Sequence, residues 1–248
     1  MRHFFAATTR TPWIAIASLV AAGPLLAQDK APKPFEFAGD AGFVMTSGNT
    51  AVTTLSLNEK LVLNSGPWKL TQQFGVVYGK IKDSVNTSIW RAGLRGDRLF
   101  TARTGLYVLL NYDKNRFAGV AGRWEEGVGA LVKAIIEDAD RLEFELGLSA
   151  VQQSATSAAA DRNFAAGRAA AIYKHLFAEK AYFSQTAEYL PNLQNGPDWR
   201  LNSESALVAP VSSSIAIKVA FSVRYQNLPD PGFLPADRLF STGIQVTY

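Results

Sequence analysis

Hydrophobic and polar residues alternate one by one over most of this chain. Between Ile215 and Gln226 the positions Ile215, Ile217, Val219, Phe221, Val223 and Tyr225 are apolar, and Lys218, Ser222, Arg224 and Gln226 fall between them. A period of two places each set on its own face of a β-strand. After a Pro/Gly loop at 228–236, Phe240, Thr242, Ile244, Val246 and Tyr248 repeat the pattern, and the sequence stops on that aromatic. The same reading gives strands that start at Phe35 and then span 50–64, 68–79, 86–99, 103–113, 125–135, 142–149, 164–177, 181–190 and 199–209. With the last pair this makes about twelve. One residue breaks the pattern: Glu59 shares a face with Leu55, Leu57, Leu61 and Leu63, and a β-bulge that shifts the phase is the expected reason.

The predicted connections sort by length. Those at 80–86, 113–124, 154–163, 191–198 and 228–236 are long, and those at 65–67, 100–102, 137–141, 178–180 and 210–213 are short; the turn at 47–49 is the exception. Asp83, Asp113, Asp138 and Asp140 fall in these turns and loops, where Asp suits the backbone geometry. An even number of antiparallel strands with short turns at one end and long loops at the other is the plan of an outer-membrane barrel. A soluble barrel or sandwich shows the same alternation. Three features favour lipid. Aromatics gather near strand ends (Trp68, Tyr78, Trp90, Tyr173, Phe177, Tyr189, Tyr225, Phe240), the polar face mixes both charge signs with Gly, Ser, Thr and Asn, and the last strand ends on Tyr248. The expected fold is therefore all-β: a single antiparallel transmembrane β-barrel of about twelve strands, placed in the outer membrane of a Gram-negative bacterium.

The N-terminus reads as an export signal. Arg2, His3 and Arg10 precede an apolar stretch from Trp13 to Ala22, and Leu25-Leu26-Ala27 offers a cleavage site. Residues 1–27 are thus expected to be removed, 28–34 to form a polar linker, and 35–248 the barrel. Cleavage takes Arg2 and Arg10 with it and lowers the net charge from +4 to about +2, too small an excess to imply a nucleic-acid partner. No cysteine is present, which excludes disulfides and cysteine metal sites. Past residue 27 no apolar run is long enough for a membrane helix, so a closed barrel is the one remaining way to satisfy the backbone in lipid.

Several segments carry a family resemblance. They are Thr46-Ser47-Gly48-Asn49-Thr50, Glu188-Tyr189-Leu190-Pro191 followed by Trp199-Arg200-Leu201, the strand end Arg224-Tyr225, and Asp237-Arg238-Leu239-Phe240-Ser241-Thr242-Gly243. In these the chain resembles the salt-induced outer-membrane protein family, a group of uncharacterised function. The resemblance covers nearly all of the mature chain. It implies an outer-membrane barrel and brings no catalytic residues with it.

Chemistry is sparse. The mature chain has a single histidine, His175, at the end of a strand beside Tyr173 and Phe177. A Ser/His pair on the lipid-facing surface serves outer-membrane phospholipase, but an amphipathic ring at the membrane rim is the plainer reading, and catalysis needs a serine within reach. Glu143 and Glu145 share a face, as do Glu36 and Asp40, so a carboxylate dyad or a metal site is conceivable. Pairing with inward bases is the alternative. The residues expected to line the lumen are Arg91, Arg95, Glu143, Glu145, Arg168, Lys174, Glu188, Arg200, Glu204, Lys218 and Arg224, with Lys133 in the same phase. Phe240 and Tyr248 are expected to serve as the signal read by the outer-membrane assembly machinery. No cofactor is expected, and membrane lipid is the expected surrounding. The reading that results is a narrow passive channel or a structural envelope protein. An outer-membrane hydrolase and a soluble periplasmic ligand-binding barrel are the alternatives.

Overall fold

The computed structural model describes residues 33–47, 52–81, 84–156, 161–178 and 180–247. The expected signal peptide at 1–27, most of the linker, the Gly48-Asn49 turn, Asp83 and Tyr248 lie outside the described residues. The strands are β1 (Phe35–Ser47), β2 (Val52–Ser65), β3 (Trp68–Ile81), β4 (Ser84–Leu99), β5 (Thr104–Asn115), β6 (Val120–Ile136), β7 (Asp140–Ala155), β8 (Arg162–Leu176), β9 (Tyr182–Pro191), β10 (Trp199–Pro210), β11 (Ile215–Gln226) and β12 (Ala236–Thr247). Each pairs antiparallel with its neighbours in sequence, and β12 returns to β1, from Ala38 opposite Thr247 to Ser47 opposite Arg238. A closed ring leaves no strand edge, so the ladder satisfies its own backbone groups.

The sign of the alternation settles which face is which. Leu57, Phe74, Leu94, Val108, Val128, Leu146, Leu207, Phe221 and Ile244 are exposed on the outside. Between them, side chains on strands that are not neighbours touch: Arg95 of β4 meets Glu145 of β7, and Arg224 of β11 meets Asp113 of β5. Such contacts can be made only through the interior. The outside is therefore the apolar face and the inside the charged one, the reverse of a water-soluble barrel. Around one end of the outer face Trp90, Tyr112, Trp124, Tyr189, Trp199 and Tyr225 form a belt, with ring centroids of Tyr112 and Trp124 4.8 Å apart and of Trp199 and Tyr225 5.0 Å apart. Their amphipathic rings suit a membrane–water interface.

The strands run further than the apolar pattern did. The loop expected over 113–124 shrinks to a short 3-10 turn at Arg116–Ala118, because β5 continues to Asn115 and β6 begins at Val120. The gap between β3 and β4 shrinks likewise, to residues 82–83. Near its ends each strand leaves the apolar belt, so polar residues on both faces conceal it from periodicity while the ladder goes on. Two corrections follow. Asp113 is an inward residue of β5, opposite Arg91 and Arg123, and Asp140 is the first residue of β7 opposite His175. Register shifts occur between Gly79 and Lys80, Asp113 and Asn115, Val120 and Gly122, and Lys133 and Ile135. None falls at Glu59, which stays on the outer face opposite Gly39 and Phe74.

Candidate functional site: the charged interior

The interior is organised in two layers. In the layer nearer the short turns, Tyr107 of β5 turns inward and is almost wholly buried. Its ring rests against Gly129 and Gly147, which face each other across β6 and β7; a side chain at either glycine would collide with the Tyr107 hydroxyl. The glycines are thus the floor on which the ring lies. Two guanidinium groups cover the ring, Arg95 at 4.5 Å and Arg168 at 5.1 Å from its centroid. Arg168 also donates to the Tyr107 hydroxyl at 2.9 Å.

Glu145 joins these cations. Its carboxylate lies 2.6 Å from Arg95 Nη1 and 2.5 Å from Arg168 Nη1, with its side chain fully buried. The Arg168 contact is a hydrogen bond, whereas the Arg95 contact is an ion pair that lacks hydrogen-bond alignment. Arg95 holds Asp97 as well, at 2.7 Å, and Glu143 lies 3.7 Å from it. Arg168 Nε donates to Glu188 at 2.7 Å, and Asn202 donates to the other oxygen of Glu188. Strands β4, β5, β7, β8 and β9 are therefore tied together through one Tyr/Arg/Glu network. Charges this buried must be paired and hydrogen-bonded.

The layer nearer the opposite end centres on Asp113. Arg91, Arg224 and Arg123 approach it at 3.5, 3.6 and 3.8 Å. Arg123 donates to Gln153 at 2.8 Å and reaches Gln226 of β11 at 3.3 Å. Arg200 lies over the Phe164 ring at 5.6 Å, and one of its terminal nitrogens has no hydrogen-bond partner. Near the closing seam, Lys218 of β11 reaches Asp40 of β1 at 3.3 Å, and Asn58 donates to the same carboxylate at 2.8 Å. Here Gly42 and Gly243 face each other on the inward side, where any side chain would strike the opposing backbone.

Every residue expected to line the lumen has inward phase. The structure joins Arg95, Glu143, Glu145, Arg168 and Glu188 in one network, and Arg91 and Arg224 in the other. Glu204 accepts from Ser222 at 3.0 Å, and Lys174 lies over the Tyr182 ring at 3.9 Å, apart from both. Sequence reasoning missed Tyr107, Asp113 and Arg123. The inward phase of Tyr107 against Leu106 and Val108 was the available signal, as was the pair of glycines at 127 and 129.

The other candidates resolve differently. Glu143 and Glu145 lie beside each other and both face Arg95, and Glu36 and Asp40 have separate partners in Asn64 and Lys218. Among the described residues no group of His, Asp and Glu is placed to hold a metal ion. His175 sits on the outer face near the short-turn rim; its Nδ1 is 2.8 Å from Asp140, to which Tyr173 donates at 2.6 Å, and Phe177 packs against the ring at 4.8 Å. Among the described residues no serine bonds to His175.

Residues 39–248 match the family described as "Protein of unknown function, DUF481". The chain belongs to that family. None of the curated proteins matches the sequence. Solved structures share its architecture at low identity. The NanC porin is similar with a TM-score of 0.56 and 9% identity, over 84% of this chain and 98% of its own. The translocator domain of the autotransporter NalP from Neisseria meningitidis is similar with a TM-score of 0.50 and 11% identity, over 88% and 90%. These likenesses show the fold, a twelve-stranded barrel of the outer-membrane type.

Proposed function

We propose that the chain is an outer-membrane barrel enclosing a narrow, charge-lined aqueous path, through which small ions pass passively with a preference for anions. The observation that carries this reading is the pairing of an apolar exterior with an interior of Arg, Lys, Asp and Glu. Among the described residues the inward face holds more Arg and Lys than Asp and Glu, which lowers the cost of an anion relative to a cation in a low-dielectric wall. One obstruction is the layer of Arg95, Tyr107, Glu145 and Arg168, where side chains from β4, β5, β7 and β8 meet. Conduction then depends on water around these groups and excludes bulky solutes.

In this reading the short turns face the periplasm, and Phe240 with Tyr248 presents the last strand to the assembly machinery. Planar-bilayer recording on the refolded barrel tests it: small single-channel currents with an anion-preferring reversal potential are expected. A structural role in the envelope is the second reading. It is favoured by the two layers of contacts through the bore, and an absence of current from correctly folded protein would select it.

A further inference from the structure

Glu59 and Gln72 lie on the outer face, in the apolar belt. Gln72 Nε2 donates to Glu59 Oε1 at 2.6 Å. They are diagonal neighbours on β2 and β3, since Leu61 is opposite Gln72 and Glu59 is opposite Phe74. The register accumulates a shear of about 16 residues around the ring, which tilts the strands by about 45°. That tilt carries this diagonal almost parallel to the membrane plane, so the two side chains sit at one depth, close to mid-belt. Leu57 with Phe74 above them, and Leu61 with Leu70 below, form two further same-depth pairs on β2 and β3.

The pair is only half satisfied. Among the described residues Glu59 Oε2 and the Gln72 carbonyl oxygen have no hydrogen-bond partner, and the second Gln72 N–H is unused. Hydrocarbon offers none of these groups a partner, and unpaired polar atoms at this depth are costly. A polar cluster on the outer face of β9 and β10 behaves differently. Gln185 donates to Ser203 at 2.9 Å and to the Thr186 carbonyl at 2.8 Å, and Ser205 donates to Gln185, so it is closed upon itself.

We infer that the β2–β3 face is the contact surface of a homodimer, with the two-fold axis along the membrane normal. Two copies inserted in the same sense can differ only by rotation about that normal, so a two-fold contact joins residues of equal depth. Gln72 of each copy then donates its second N–H to the free oxygen of Glu59 in the other. Because the strands are tilted by about 45°, the same axis passes close to Leu61 below the polar centre and to Phe74 above it, so each meets its own copy and apolar contacts flank the hydrogen-bonded centre. A second copy supplies both the donor and the acceptor that a lipid lacks. The proposal requires the membrane-inserted barrel and is independent of whether the bore conducts.

Because the chain has no cysteine, a single introduced cysteine reports its own surroundings. Leu61→Cys, beside the proposed axis, and Leu146→Cys, on β7 and exposed to the outside, are placed in the full-length protein in membranes and oxidised with copper phenanthroline. The expected result is a disulfide-linked dimer for Leu61→Cys in several-fold excess over Leu146→Cys. It falls to the Leu146→Cys level when Glu59→Leu and Gln72→Leu are added, while heat-modifiable migration shows the barrel still folded. Equal cross-linking at the two positions overturns the proposal, and so does cross-linking at Leu61→Cys that survives loss of the polar pair. Should the leucine pair prevent folding, Glu59→Gln with Gln72→Glu exchanges donor and acceptor and is expected to keep the dimer; its loss there also counts against the proposal. Recovery of the protein in the soluble fraction would instead sink the membrane reading itself.

Discussion

Arg95 lies over one face of Tyr107 while its terminal nitrogen reaches Glu145, two strands further round the ring. A cation held by a ring and by a carboxylate on a third strand ties β4, β5 and β7 together and fixes the spacing of that part of the wall. The network works as a cross-brace, and its members differ in what their loss would do.

Glu145 is the member with the most to lose. Its carboxylate faces two guanidinium groups with no exposure of its own. Removing one partner of a buried pair costs about 3–5 kcal/mol, and water in a barrel interior puts this site at the lower end, about 3 kcal/mol. Glu145→Ala is expected to lower the unfolding free energy obtained from urea titration of the heat-modifiable form by that amount. Replacing Arg95, Glu145 and Arg168 together by Met should cost more than Glu145→Ala alone, because Asp97 and Glu188 lose the guanidinium groups that pair them.

The glycine floor gives a steric prediction. Gly129→Val places a branched side chain where the Tyr107 ring lies and against the backbone of β7. Overpacking of this kind costs about 1–3 kcal/mol. Combination with Tyr107→Ala should recover part of the loss, and a double-mutant cycle in urea measures the coupling.

Glu126 stands exposed on the outer face of β6, opposite Leu110 and Ala150. Carboxylates on a lipid face cost less than the ~2–4 kcal/mol of Lys or Arg at the midplane, and Glu126 lies off-centre. Glu126→Leu is expected to stabilise the folded barrel in lipid by about 1 kcal/mol. An unchanged or lowered urea midpoint in vesicles would contradict an outward, lipid-facing position.

The proposed assembly role of the last strand carries its own prediction. Tyr248→Asp should reduce the yield of folded protein in the outer membrane far more than Gln245→Ala, whose side chain is inward and buried. Equal yields by heat-modifiable migration would remove the assembly role of the terminal aromatic.

The faces were legible because each strand is bounded by water on one side and lipid on the other, and a period of two records that directly. Arg91, Glu145, Arg168 and Lys218 took their inward phase from this pattern alone. Their partners were not legible. Whether Arg95 meets Glu145 or Glu204 depends on shear and closure, which arise from pairing all around the ring and leave no local trace. Asp113 was mistaken for a loop residue because β5 rises past the apolar belt before it turns. Glu59 was read as a sign of a bulge, whereas Gln72 on the next strand answers it, a diagonal relation that a single strand cannot show.

Whether the charge-lined bore conducts is decided by single-channel recording of the purified, refolded barrel in a planar bilayer under a salt gradient. Small, discrete currents with an anion-preferring reversal potential are expected, and a larger conductance in Arg95→Ala with Tyr107→Ala, which removes two side chains from the bore. A folded barrel that passes no current, with and without those substitutions, would contradict a conducting bore.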